Sequence, residues 1–254
     1  MEKILPAIGG IAGVVLGGTL IWKVVLRNFR KAPGLYIRLR HYAKHSDAYS
    51  EEEKYKYIQR IMQLAVRSGN IQLQVHGKEN IPSENGFLLY GNHQGLFDIV
   101  ALAVSCDAPL AAVYKKELNG IPVPKEIFAC TNSFAMDREN IRRSLPVIQQ
   151  TAKEVANGRN YLIFPEGTRS RNQNQLAAFH GGSFRCALSA KCTIVPFVLI
   201  DSFTVLDQNG SKPVKVQLHY LEPIPYEEYK DLKSAALSAM VKDRIQQVMD
   251  LYAA

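Results

Sequence analysis

The stretch Phe87-Leu88-Leu89-Tyr90-Gly91-Asn92-His93-Gln94-Gly95-Leu96-Phe97-Asp98 decides the fold. Four apolar residues in a row follow the turn that runs from Ile81-Pro82 to Gly86 and end in Gly91. A short apolar run bounded by turn signals reads as a strand. A polar loop comes next, then a helical pattern at Ile99–Val104. The same alternation continues outward. Further apolar runs lie at Leu110–Tyr114, Ser133–Met136, Tyr161–Phe164, Thr193–Val198 and Val214–Leu221, and helical segments at Ile141–Asn157, Gly182–Ala190 and Tyr226–Tyr252. Alternation of this kind predicts an α/β fold, a single domain with a largely parallel central sheet flanked by helices. Upstream, Ser50 before Glu51-Glu52-Glu53 starts a helix with acids in its first turn, running to about Arg67 and stopping at Ser68-Gly69-Asn70. Ile71, Leu73 and Val75 then alternate with polar residues, the pattern of a half-buried strand. Val214–Leu221 alternates in the same way and reads as an edge strand.

Composition narrows the function. The 254 residues are 47% hydrophobic and 21% charged, which excludes a disordered or fibrous chain. A mean hydropathy of −0.11 is too low for a polytopic membrane protein. The net charge is +8, which suits an anionic partner. That charge is concentrated. Lys23, Arg27, Arg30, Lys31, Arg38, Arg40 and Lys44 precede the first following acid, Asp47, so the remainder is close to neutral. Such a distribution argues against nucleic-acid binding, which wants basic residues through the folded body. Cys106, Cys130, Cys186 and Cys192 form no CxxC pair and no Cys/His ligand spacing. They read as buried apolar residues in a reducing compartment, and no metal is expected.

Ile4–Trp22 carries no charge and, as a helix, reaches about 28 Å, close to the thickness of a hydrocarbon core. Gly9, Gly13 and Gly17 line one side of it with small residues, which lets another helix approach closely. Glu2 and Lys3 cancel and no A-x-A site follows, so a cleaved signal peptide is disfavoured. The basic flank interleaves Phe29, Leu35, Tyr36, Leu39 and Tyr42, as an interfacial amphipathic helix broken at Pro33-Gly34 would. Residues 1–45 are therefore expected to be a membrane anchor with a basic interfacial segment on an anionic membrane surface. The body, 46–254, is expected on the cytoplasmic face, where Lys and Arg stay.

Two clusters carry the chemistry. His93 and Asp98 are five apart, about 140° on a regular helix, so they meet only if His93 sits in the loop leaving the strand and Asp98 in the turn beyond. An imidazole held by a carboxylate is an oriented general base. The second cluster is Phe164-Pro165-Glu166-Gly167-Thr168-Arg169-Ser170, directly after the run Tyr161–Phe164. A turn at the C-terminal end of a strand faces the crevice where open α/β sheets bind ligands, and Arg169 can clamp a phosphate with two donors. Both clusters follow strands, so both can share one edge of the sheet. No G-x-S-x-G nucleophile elbow is present.

Together these residues resemble the glycerolipid acyltransferases, most closely the 1-acylglycerol-3-phosphate acyltransferases. Asn92-His93-Gln94 through Asp98 is similar to the family's catalytic block, and Ser133-Phe134-Ala135-Met136-Asp137-Arg138 to the second block. Glu166-Gly167-Thr168-Arg169 resembles the third and Ile194-Val195-Pro196 the fourth; Tyr114-Lys115-Lys116-Glu117-Leu118 resembles a segment between the first two. Gly95 stands where Ser is common, and Ala135-Met136 replaces the usual Ile pair. The resemblance spans about Gly77 to Leu221. It implies an enzyme with an acyltransferase domain over 46–254. His93 would be the general base oriented by Asp98, passing an acyl group from acyl-CoA or acyl carrier protein to the sn-2 hydroxyl of lysophosphatidate without a covalent intermediate. Glu166, Gly167, Thr168, Arg169, Lys115 and Arg138 would bind substrate, the cations holding the acceptor phosphate. No cofactor beyond the acyl donor is implied. The alternatives are another lysophospholipid acceptor or a non-enzymatic membrane lipid-binding protein, in which His93 would be dispensable.

Overall fold

The computed structural model describes residues 27–137, 141–207 and 213–252. Residues 4–22, with the expected anchor, and Arg138 lie outside the described residues. Among the described residues no helix is long and apolar enough to cross a membrane.

The chain enters through helices α1 (Ala32–Lys44) and α2 (Glu51–Ser68) and then builds one seven-stranded sheet. Its strands are β1 (Ile71–His76), β2 (Phe87–Gly91), β3 (Leu110–Lys115), β4 (Phe134–Met136), β5 (Asn160–Ile163), β6 (Thr193–Ile200) and β7 (Val214–Tyr220). Their spatial order is β1-β7-β6-β2-β5-β3-β4. Every pairing is parallel except β6 with β7. Helices α3 (Phe97–Ser105), α4 (Pro124–Cys130), α5 (Ile141–Ala156) and α6 (Arg185–Ala190) follow β2, β3, β4 and β5. After β6 and β7 come the short α7 (Thr204–Asp207) and α8 (Tyr226–Tyr229), and last α9 (Ser234–Tyr252).

The α/β reading holds, and the buried strand that anchors it is central. Along β2, Phe87 and Leu89 join the core on one face of the sheet while Leu88 and Tyr90 join the core on the other. That two-sided burial is why the sequence there does not alternate. The first core takes Phe97, Ala101 and Leu102 from α3; the second takes Leu237, Val241 and Ile245 from α9. A third cluster, with Leu39, Tyr42, Ile58, Met62 and Ile127, seats α1 against α2 and α4. Ser50 caps α2 as expected, its Oγ accepting the Glu53 N–H at 3.1 Å. All four cysteines are free and buried.

Three expectations are corrected. Val214–Tyr220 is not an edge strand: β7 lies between β1 and β6, and its exposed alternate side chains reflect thin cover on one face, not an open edge. Pro33 does not break the helix of the basic segment, because it falls in the first turn of α1, where no N–H is missed. The long C-terminal helix is two, with α8 and α9 separated at residues 230–233.

Candidate active site

Strands β5, β2 and β6 are adjacent and parallel, so their C-terminal ends open on one edge of the sheet. Each end delivers part of the site. From β2, Gly91 passes so close to β6 that a Cβ there would meet the Phe197 ring at 2.4 Å. Asn92 continues the ladder with its side chain: Nδ2 donates to the Leu199 carbonyl and Oδ1 accepts the Leu199 N–H, both at 2.8 Å. His93 then leaves the strand.

The His93 Nδ1–H donates to Asp98 Oδ2 at 2.7 Å. Asp98 is the second residue of α3, not part of a preceding turn, and it is fully buried. Its Oδ2 also accepts the N–H groups of Gln94 (2.6 Å) and Gly95 (2.9 Å), and its Oδ1 accepts the Ser202 hydroxyl. A carboxylate without water needs such donors, since an unpaired buried charge is costly. Because that carboxylate only accepts, the imidazole proton sits on Nδ1 and Nε2 is left uncommitted among the described residues. The Phe164 ring stacks on the imidazole at 4.1 Å between centroids and fixes its plane.

The end of β5 supplies Glu166, 2% exposed. Its Oε1 accepts the His93 backbone N–H at 3.2 Å, and among the described residues its Oε2 has no hydrogen-bond partner. Burial pushes this carboxyl up to about 7; the His93 amide opposes that and Asp98 adds to it. Gly167 turns the chain at φ +68°, with the His180 ring packed where a Cβ would stand. His180 caps nothing with its side chain. Thr168 and Arg169 are exposed on the loop beyond, which is tied back by the Ser170 N–H donating to the His93 carbonyl at 2.8 Å. Lys115 ends β3, two strands from β2, roughly 10 Å away at the usual strand spacing. It is half-exposed and pairs with Glu117 at 3.3 Å, a weak surface contact open to exchange for a phosphate.

The structure thus joins His93, Asp98 and Glu166 in direct contact, puts Gly167, Thr168 and Arg169 on the adjoining loop, and keeps Lys115 on the same edge. Sequence reasoning missed the third strand end. Asp201-Ser202 follows β6 as His93 follows β2, but the strand was expected to stop at Val198, which hid Ser202 from view. Among the described residues no three His, Cys, Asp or Glu side chains converge as a metal site would require.

An oriented imidazole with an uncommitted nitrogen, at the C-terminal edge of an α/β sheet, has the geometry that general base catalysis on a hydroxyl or water requires. The acyltransferase family model matches residues 72–200, which hold every part of that site but Asp201 and Ser202, and the chain belongs to this family. A 1-acyl-sn-glycerol-3-phosphate acyltransferase of Borreliella burgdorferi is 24% identical over 191 residues, 74% of this chain and 76% of the relative. One from Salmonella typhimurium is 28% identical over 178 residues, 69% and 72% of the two chains. The crystal structure of the 1-acyl-sn-glycerophosphate acyltransferase PlsC from Thermotoga maritima superposes with a TM-score of 0.73, covering 96% of this chain and 98% of that one at 22% identity. That likeness is one of fold.

Proposed function

We propose that this enzyme transfers a fatty acyl group from a thioester, acyl-CoA or acyl carrier protein, to the sn-2 hydroxyl of 1-acylglycerol-3-phosphate, giving phosphatidate. The observation that carries this reading is the 2.7 Å bond from His93 to a fully buried Asp98, which aims a free Nε2 at the sheet edge. The substrate class follows from the relatives' names and from the exposed cation Arg169 on the loop tied to the His93 carbonyl.

Nε2 takes the proton of the acceptor hydroxyl as its oxygen attacks the thioester carbonyl. The C–O bond forms, the C–S bond breaks, and the proton passes on to the departing thiolate. Asp98 stabilises the imidazolium between these steps. Base catalysis of this kind is worth about 10²–10⁴-fold. The remainder comes from holding donor and acceptor in line and from stabilising the oxyanion. Arg169 and Lys115 hold the acceptor phosphate, with Arg138 as a third cation, and Glu166 keeps the His93 backbone in place.

The chain works at an anionic membrane surface from the cytoplasmic side. Supporting this, α1 exposes Ile37, Phe29 stands exposed just before it, and Arg30, Lys31, Arg38 and Arg60 line an open groove between α1 and α2 beside Leu35 and Leu64. Cations flanking exposed apolar side chains suit a phospholipid interface. Residues 4–22 would complete the anchor.

The test is radiolabelled acyl transfer by the purified, detergent-solubilised protein onto lysophosphatidate, beside His93→Ala and a panel of other lysophospholipids. Label in phosphatidate with wild type, lost in the variant, is expected. Equal transfer by the variant would overturn the role of His93; transfer only to another headgroup would overturn the acceptor.

A further inference from the structure

The chain Ser202–Asp98–His93 crosses from β6 through α3 to the loop after β2. The Ser202 hydroxyl donates to Asp98 Oδ1, the oxygen that His93 does not use. Ser202 is 1% exposed. Its placement is built with care. Asp201 turns the strand end at φ +60°, a left-handed conformation that Asp tolerates better than most residues. Asn174 fixes that turn twice, its Nδ2 donating to Asp201 Oδ1 at 2.8 Å and its Oδ1 accepting the Asp201 N–H at 2.9 Å. The Ser202 N–H is held in turn by Gln94 Oε1 at 2.8 Å, and the Gln94 Nε2 returns to Asn174 Oδ1 at 2.8 Å. Gln94 also donates its own backbone N–H to Asp98. The loop carrying His93, the loop after Arg169 and the end of β6 therefore close into one ring of hydrogen bonds around the Asp98 carboxylate.

We propose that Ser202 is a positioning residue for the reaction: its hydroxyl locks the rotation of the Asp98 carboxylate so that Oδ2 faces His93 Nδ1, and the Asn174–Asp201 clamp holds Ser202 there. The Gln94 and Gly95 amides approach Oδ2 alone, so without Ser202 the carboxylate can turn about its last bond and the His93 contact lengthens. Small losses of alignment are expensive in a base-catalysed step, on the order of 10²-fold for about 1 Å. This inference rests on the acyl-transfer reading above for its rate measurement, but not for its structural one.

The experiment compares Ser202→Ala, Ser202→Thr and Asn174→Ala with wild type in the full-length, detergent-solubilised protein. Ser202→Ala is expected to lower kcat roughly 10- to 100-fold with KM for both substrates within about twofold, and Ser202→Thr, which keeps the hydroxyl, to recover most of the loss. Asn174→Ala is expected to act in the same direction with a smaller loss. In protein labelled with ¹⁵N-histidine, the downfield Nδ1–H resonance of His93, identified by its absence in His93→Ala, is expected to move upfield or broaden in Ser202→Ala. A kcat within threefold of wild type, or an unmoved resonance, would overturn the proposal. If Ser202→Ala does not fold, Asn174→Ala decides, and wild-type kcat there overturns it. If wild type transfers no acyl group, the functional reading fails, while the resonance still tests Ser202.

Discussion

His93 Nδ1 lies 2.7 Å from Asp98 Oδ2, and the carboxylate it meets has no contact with solvent. In the proposed mechanism the pair acts as a unit, because the value of the carboxylate lies in the tautomer and orientation it imposes on the ring. His93→Ala and Asp98→Asn are each expected to cost about 10²–10⁴-fold in kcat. The double variant should be no slower than His93→Ala alone, since groups that act together are not additive. Steady-state rates of the three variants check this, and additive losses would break the unit apart.

Arg169 is an exposed cation on the loop that Ser170 ties to the His93 carbonyl. Arg169→Ala is expected to raise KM for lysophosphatidate about 10- to 100-fold, the range of a lost charge-assisted hydrogen bond, and to leave the donor KM nearly unchanged. Arg169→Lys should recover only part, because an ammonium cannot make the two-pronged contact. Equal rises in both KM values would place Arg169 elsewhere than on the acceptor phosphate.

Glu166 has its carboxyl raised from 4.5 to about 7 by burial. The folded protein therefore holds a proton there that the unfolded chain has already lost, and its contribution to stability is full below pH 4.5 and falls away as pH rises through 7. The change amounts to about 3 kcal/mol. Glu166→Gln keeps an acceptor for the His93 amide but cannot ionise. Its stability relative to wild type, from urea unfolding at a series of pH values, should climb between pH 4.5 and 7 and level off above. A difference that does not vary with pH would contradict the assignment.

His219 carries the opposite sign. It is stacked on His76 at 4.5 Å and buried, and both desolvation and His76 depress it to about 4. The unfolded chain takes up a proton on acidification before the folded one does. Its stability contribution is thus present above pH 6.5 and lost as pH falls toward 4. His219→Gln should flatten the acid limb of the unfolding curve relative to wild type. The two groups offset one another in wild type, so only the paired variants separate them; an acid limb identical to wild type would count against His219.

Gly91→Ala puts a Cβ 2.4 Å from the Phe197 ring and 2.5 Å from its carbonyl oxygen. The expected cost is about 1–3 kcal/mol in thermal or urea unfolding. Trimming the ring with Phe197→Leu should not restore stability, because the carbonyl stays where it was. Full rescue by that second change would show that the ring alone needs the glycine.

The α/β class was legible because burial on both faces removes alternation from a strand, and Phe87-Leu88-Leu89-Tyr90 shows this without any partner in view. His93 and Asp98 were legible because a base and its carboxylate must both lie just beyond a strand end, and the chain there is contiguous. The cap at Ser50 is equally local. Ser202, Asn174 and the burial of Glu166 were not legible. Glu166 reaches His93 from 73 residues away, Asn174 reaches Gln94 from 80 and Ser202 reaches Asp98 from 104, through strand pairings that no local pattern reports. The placement of β7 inside the sheet failed for the same reason, since alternation records cover on one face and says nothing of which strands lie alongside. By itself the sequence determined what hydrogen bonds and hydrophobic periods within a few residues can enforce: the strand–helix rhythm, the capped helix and the residues fit for acid–base chemistry. Only the tertiary structure decided which distant strand ends meet, how the Asp98 carboxylate is held and how far Glu166 is shut away from water. Those depend on the packing of the whole sheet.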